Sequence, residues 1–391
     1  MTPAARYQTA IEILDAVFAG APAEQALIRW ARASRFAGSK DRAAVRDLVF
    51  DALRKRSSAA ACGGSLTGRG VMLGLLALSD QDPEEVFTGA KYGPETLSDA
   101  ERQTILTGQS GTVPCDVPDW IVPEFEAGLG ADTGTVLSIL RERAPVFLRI
   151  NPRRESRKEA IGALADEGIK AEVVPGVETA LIVVDEARKI AGSRAFRDGL
   201  VEVQDASSQA AVEFMPIPDS GRVLDYCAGG GGKALAMAAI SDAEIFAHDG
   251  SPDRMKDIPA RAERAGCRIQ ILDNAGVRRM APFDVVLCDV PCSGTGAWRR
   301  SPDARWRFTA DDLQRLLSVQ RDILTAASRL VRSGGHLVYA TCSLLACENG
   351  IQLRDWLDST GASLRISDEM QRYPDAHGDG FYCAVMEEAN D

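Results

Sequence analysis

From Val201 onward, short apolar runs alternate with helix-like stretches. RVLDYC, EIFAHD, RIQILD, FDVVLCDVP, GHLVYATCS and GFYCAVM read as strands, and helical segments separate the first several. Strands joined through helices fold into a mostly parallel, doubly wound α/β sheet. Such a sheet receives ligands at the carboxyl ends of its strands. The clearest helix, TADDLQRLLSVQRDILTAASRLVRSGG, opens on a capping box of Thr309 and Asp312, and Gly334–Gly335 is expected to end it.

The preceding residues have a different character. Residues 1–78 read as helical: in AAVRDLVFDALRKR, Val45, Leu48, Val49, Ala52 and Leu53 recur at helical spacing, and GGSLTG interrupts the pattern. Asp80 to Gly134 is acidic and punctuated by Pro and Gly. VFLRI, ESRKEAIGALADEG, AEVVP and ALIVVD then describe a small α+β segment ending near Gly199. The expected domains are 1–134, 135–200 and 201–391, in keeping with a length of 391 residues.

The N-terminal MTPAARYQTAIEILDAVF carries Glu12 and Asp15 within its apolar pattern, unlike a secretory leader, and the run VMLGLLAL is far short of a membrane span. The nine cysteines therefore read as reduced intracellular thiols. A cytoplasmic monomer without a membrane partner is expected. With three histidines (His248, His336, His377), His-based catalysis and His-rich zinc sites are poorly supplied. The net charge of −11 argues against nucleic acid, but its distribution softens the argument. Residues 29–56 hold nine Lys/Arg against three acids, whereas residues 80–132 hold twelve acids against Lys91 and Arg102. A solvated helix face and a phosphate-binding face explain the basic stretch equally well.

In RVLDYCAGGGGKALAMAA a glycine run lies between a strand and a helix, where bare backbone N–H groups can approach a ligand. Gly229, Gly231 and Ala234, with Asp249 following, satisfy a loose dinucleotide fingerprint, so a nicotinamide cofactor is a rival. Two features favour S-adenosylmethionine: Asp225 ends the strand before the loop, where methyltransferases of this sheet type commonly have an acid facing the ligand's amine, and the fourth strand ends in Asp-Val-Pro-Cys. Asp249 would accept from ribose hydroxyls, and Asp273 is placed to meet the adenine amino group. A helix cap is the plainer reading of each acid.

Cys288, Cys292, Cys342 and Cys347 have spacings near those of a four-sulfur zinc site. Cys288 lies inside an apolar strand and suits a buried small hydrophobe. Cys292 and Cys342 both lie just past strand ends, on the ligand-binding edge. No metal is expected.

DVPCSGTG (289–296), TCSLLACEN (341–349) and LDYCAGGGGK (224–233) together resemble the RsmB/NOP (NSUN-type) family of RNA cytosine carbon-5 methyltransferases. VQDASSQ, WRRSPDARWR and DGFYCAVM extend the likeness, FLRINPRR resembles the family's small RNA-binding subdomain, and GSKDRAAVRDLVFDALRKR resembles the NusB-like helical module of its bacterial rRNA enzymes. The resemblance implies a Rossmann-like class I methyltransferase sheet preceded by a small α+β subdomain and an all-α NusB-like domain. It implies S-adenosylmethionine as cofactor and RNA as partner, with 16S rRNA the expected substrate. Cys342 is implied as the nucleophile that adds to carbon 6 of the base, Cys292 as the group that aids release, and Asp289 as the partner of N3. Cys227, Ala228, Gly229, Gly230, Gly231, Gly232, Lys233, Asp249, Asp273 and Asp289 are implied to hold the cofactor, and Lys233, Arg299 and Arg300 to meet RNA. Trp298 and Trp306, interleaved with arginines, favour that last assignment over surface ion pairs. The family's Pro in the glycine loop is Gly here, and its Pro-Glu before Glu-Asn is Ala346–Cys347. A non-catalytic RNA-binding assembly factor of the same fold is the alternative; intact Cys292, Cys342 and Asp289 speak against it.

Overall fold

The computed structural model describes residues 1–79, 81–108 and 114–389. The chain divides into two compact units: one of Met1–Val122, Leu137–Arg143 and Trp298–Phe308, the other of Pro123–Val136, Ala144–Ala297 and Thr309–Asp391.

The first unit is helical: Pro3–Phe18, Ala23–Ala33, Ser39–Arg54, Arg56–Gly63, Gly68–Leu78 and Asp99–Gly108. Val45, Val49, Ala52 and Leu53 point into its core with Leu14, Met72 and Phe87, as their spacing requires, while Leu48 is half-buried. The apolar run at 71–78 lies in a buried helix of this core. Among the described residues no single helix is long and apolar enough to cross a membrane. Within the acidic stretch, Asp80 and residues 109–113 lie outside the described residues.

The excursion 298–308 locks into this unit. Arg305 is fully buried, and its guanidinium donates to the backbone carbonyls of Arg54 (3.3 Å), Asp116 (2.6 Å) and Leu140 (2.7 Å). Burial pulls it down to about 10, so it remains charged at neutral pH. Trp306 Nε1 donates to the Leu53 carbonyl (2.8 Å), and Arg54 Nε donates to that of Arg299 (2.8 Å). The Asp116 carboxylate accepts from the Ser58 amide (3.0 Å) and hydroxyl (2.8 Å) and pairs with Arg141. Trp298 and Arg299 are each 2% exposed, which takes the Arg299 guanidinium out of reach of a phosphate; Arg300 is exposed.

The second unit carries two sheets. Strands β1 (Val146–Ile150), β2 (Lys170–Val173), β3 (Ala180–Asp185) and β4 (Val201–Val203) form an antiparallel sheet of order β2-β3-β1-β4. Helix Arg157–Asp166, opened by a capping box of Ser156 and Glu159, covers it through Leu164, against Leu148 and Leu181. Because β4 pairs with β1 from Leu148↔Val203 to Ile150↔Val201, the small sheet runs past residue 200.

The large sheet comprises β5 (Arg222–Asp225), β6 (Glu244–Ala247), β7 (Ile269–Ile271), β8 (Phe283–Asp289), β9 (Val331–Thr341), β10 (Leu364–Arg372) and β11 (Phe381–Glu388). Its order is β10-β11-β9-β8-β5-β6-β7, parallel from β9 to β7 with β11 and β10 antiparallel at one edge. The chain starts at β5, moves outward to β7 and returns to β8, so a topological switch lies between β5 and β8. The capping box at Thr309 is present, but the helix spans Ala310–Ser328 and stops well before Gly334. Val331 already pairs with Phe283, and Gly334 (φ 66°) lies in an irregularity of β9 between the pairings of Phe283 and Val285. β10 gave little sequence signal because the alternation of Leu364, Ile366 and Met370 on this edge strand is interrupted at Asp368, where its register also shifts.

Arg305→Met keeps an apolar stem but leaves three carbonyls without their donor. Each buried orphan costs about 1–3 kcal/mol. The first unit should therefore lose at least about 3 kcal/mol, read as a lower guanidinium midpoint by tryptophan fluorescence. Arg305→Lys should not restore it, because one ammonium cannot fork across three carbonyls. An unchanged midpoint in Arg305→Met would show that the lock carries no stability.

Candidate active site

Four loops leave the carboxyl ends of β5, β6, β8 and β9. The first runs from Asp225 through Tyr226, Cys227 and Ala228 into Gly229–Gly232, where the helix Gly232–Ile240 begins. Gly229 (φ 51°) and Gly231 (φ 78°) adopt left-handed backbone. A Cβ on Gly231 would lie 2.7 Å from Ile258 Cγ1, so the turn admits no side chain there. Ala228 and Lys233 are buried, Cys227 half-buried and Gly230 exposed.

Asp225 is 1% exposed, and its Oδ1 has no hydrogen-bond partner. Burial first, and the charge of Asp289 second, push its carboxyl up to about 7. Asp249, past β6, accepts from the Gly229 amide (2.9 Å) and from the Ser251 amide (2.9 Å), and pairs with Arg254 at 3.2 Å. Asp273 is exposed and caps the helix Asn274–Met280 by accepting from the Gly276 amide at 2.6 Å.

At the end of β8, Asp289 accepts from Lys233 Nζ at 2.6 Å, and the same ammonium stands 4.8 Å from the Phe381 ring centroid. Burial works to lower Lys233, but Asp289, Asp225 and Cys342 outweigh it and hold the ammonium charged. Three residues beyond Asp289 lies Cys292, and directly after β9 lies Cys342; their free sulfurs are 3.5 Å apart. The hydrogen bond with Cys342, then burial, then the charges of Cys342 and Glu348 hold the Cys292 thiol well above its usual range. The other two cysteines of the spacing are elsewhere: Cys288 is buried in the core beneath the sheet, and Cys347 is half-buried beside Glu124. Among the described residues no cluster of His, Cys, Asp and Glu could hold a metal.

The structure thus brings together Asp225, the glycine turn, Lys233, Asp249, Asp289, Cys292 and Cys342. Sequence reasoning missed two supporting groups. Arg149 of β1 is buried, with burial lowering it to about 10, and donates to the Gln204 carboxamide and the Gly232 carbonyl (2.8 Å). The signal was one charge within the otherwise apolar VFLRI. Glu348 is fully buried between the two thiol loops; it is the Glu of the Glu-Asn pair after Ala346–Cys347, and nothing in the sequence marks it as buried.

The family described as 16S rRNA methyltransferase RsmB/F matches residues 213–387, and the ferredoxin-like domain of RsmF/B-like methyltransferases matches residues 117–190. Ribosomal RNA small subunit methyltransferase B of Cronobacter sakazakii is 31% identical over 284 residues, covering 69% of this chain and 66% of that protein. Its namesake in Xanthomonas campestris pv. campestris is 32% identical over 292 residues, covering 70% and 67%. The chain therefore spans about two thirds of the length of these relatives. Among solved structures, PH0851 superposes with a TM-score of 0.74 at 20% identity, covering 99% of each chain. NSun6 from Pyrococcus horikoshii gives 0.62 at 17% identity, covering 70% of this chain and 99% of that one. Both structural likenesses speak for the fold. The sequence relatives and the two matched families lead to one conclusion: the chain belongs to the RsmB/F methyltransferase family.

Proposed function

We propose that this protein methylates carbon 5 of a cytosine in RNA, using S-adenosylmethionine and a transient covalent bond between Cys342 and carbon 6 of the base. Small-subunit ribosomal RNA is the substrate class proposed, from the names of its relatives. The observation that carries the reading is the pair of free sulfurs 3.5 Å apart on the ligand edge of the sheet.

S-adenosylmethionine, when bound, supplies an electrophilic methyl group on a sulfonium. The chain's residues suit it. The unpartnered, buried Oδ1 of Asp225 is an acceptor for its ammonium, the turn from Cys227 to Gly232 offers backbone without side-chain obstruction, and Asp249 suits a ribose diol. Asp273 has one carboxylate oxygen engaged with Gly276, leaving the other for the adenine amino group.

Carbon 5 of cytosine is a weak nucleophile. Addition of the Cys342 sulfur to carbon 6 turns the ring into an enamine and replaces one hard step by easier ones. Asp289, steadied by Lys233, is assigned to N3, where a hydrogen bond or proton eases that addition. Release requires loss of the carbon-5 proton and cleavage of the carbon–sulfur bond, and Cys292 is assigned to it. A thiol that holds its proton as firmly as Cys292 is a correspondingly strong base once ionised. Taking a base from its stack costs a few kcal/mol, which contacts elsewhere on the RNA must supply. The basic residues of 29–56 and exposed Arg300 are assigned to phosphates, with the helical unit and the small sheet as RNA-holding parts of a cytoplasmic monomer.

Cys342→Ala should abolish methyl transfer while cofactor affinity survives. Cys292→Ala should accumulate a protein–RNA adduct, visible as a retarded band on denaturing gels. An adduct in Cys342→Ala but not in Cys292→Ala would reverse the two roles, and none in either would end the covalent reading.

Asp225 gives a pH signature. Below about pH 7 its carboxyl holds a proton that an incoming ammonium must displace. Affinity for S-adenosylmethionine should therefore rise by up to about tenfold per unit toward pH 7 and then level off. Asp225→Asn should bind weakly and without that slope. Titration calorimetry across this range checks it; a pH-independent wild-type affinity would remove Asp225 from the ammonium site.

A further inference from the structure

Cys292 and Cys342 stand on separate loops, 50 residues apart in the chain, and each loop has just left the end of a strand. We infer that Glu348 is a positioning residue that ties these two loops together and thereby sets the separation of the two sulfurs. Its importance for turnover rests on the function proposed above; the geometry does not.

Glu348 is fully buried. Its Oε1 accepts from the Ser293 amide at 2.9 Å and from the Gln320 carboxamide at 2.9 Å. Its Oε2 accepts from the Ser293 hydroxyl and, at 2.5 Å, from the Ser343 hydroxyl. Ser293 directly follows Cys292, and Ser343 directly follows Cys342. One carboxylate oxygen therefore holds the residue beside each thiol. Glu348 is itself fixed: its carbonyl accepts from the Tyr339 hydroxyl at 2.7 Å, and neighbouring Asn349 donates to the Ser343 carbonyl at 3.0 Å and accepts from Thr341 at 2.6 Å. A buried carboxylate is costly to desolvate, and four hydrogen bonds are needed to offset that cost. Its use at this point, between two loops that each carry a thiol, fits a geometric task better than a stabilising one.

The test compares Glu348→Ala, which cuts the tie, with Glu348→Gln, which keeps its shape and most of its bonds once the serine hydroxyls turn to accept from the amide. The first readout needs no RNA. Diamide takes two electrons and two protons from a pair of thiols as the S–S bond forms, so the rate at which Cys292 and Cys342 couple reports their proximity. Glu348→Ala should slow coupling by about tenfold or more and lower kcat by about a hundredfold, the scale of a misplacement near 1 Å. Its affinity for S-adenosylmethionine should stay within about threefold of wild type, because the glycine turn keeps its own supports. Glu348→Gln should recover most of both losses.

Coupling at the wild-type rate in Glu348→Ala would overturn the inference. So would a parallel collapse of cofactor affinity and thermal stability in a folded variant, which marks a merely structural role. Should Glu348→Ala fail to fold, Ser343→Ala releases only the Cys342 side and should slow coupling by a smaller factor; an unchanged rate there also overturns it. If coupling responds as expected but Cys342→Ala still methylates RNA, the proposed reaction falls and the positioning role stands.

Discussion

The pairing of β8 with β9 is the constraint on which the site depends. These two parallel strands are in register from Val285↔His336 to Asp289↔Ala340, so their carboxyl ends fall side by side. Cys292 and Cys342 each follow within three residues of those ends. A parallel ladder slipped by one residue would turn every side chain to the opposite face. The run of buried residues in β8 and β9, packed on both faces of the sheet, forbids that slip. Core packing thus brings the two thiol-bearing loops side by side and leaves the final spacing of the sulfurs to the contacts between the loops.

The same edge concentrates charge in a poorly solvated place. Asp225, Lys233 and Asp289 come from the ends of adjacent strands and the helix between them, and the Lys233 ammonium pairs with Asp289. Burial, and after it the charge of Asp289, makes Asp225 costly to ionise, and Asp225 responds by holding its proton up to about pH 7. A buried carboxyl whose Oδ1 has no partner, and which gives up its proton near neutral pH, is prepared for a cationic ligand before that ligand arrives.

Much of this was legible in the chain. The strand-like runs located nearly every strand of the large sheet, and the capping box at Thr309 is formed. Cys292, Cys342, Asp289, Asp249 and the glycine turn were marked by residue type and position relative to strand ends. What stayed hidden depends on tertiary partners. Whether an arginine is buried is decided by which carbonyls surround it, so Arg305 and Arg299 could not be told from surface cations by their neighbours in sequence. The role of Glu348 is equally nonlocal, since three of its four side-chain contacts lie on Ser293 and Gln320. Gly334 misled for another reason: a glycine pair marks a helix end or a strand irregularity with the same residues.

The lock around Arg305 has a consequence for the order in which the protein is made. Its acceptors at Arg54, Asp116 and Leu140 precede it by 251, 189 and 165 residues. During synthesis at about 5–20 residues per second, the last of them waits roughly ten to thirty seconds for its donor. Through that interval the helical unit leaves the ribosome with an unfilled seat where Trp298, Arg305 and Trp306 belong. The helical unit is thus completed only when residues 165 positions beyond its last acceptor have been made, and the seat stays open until then.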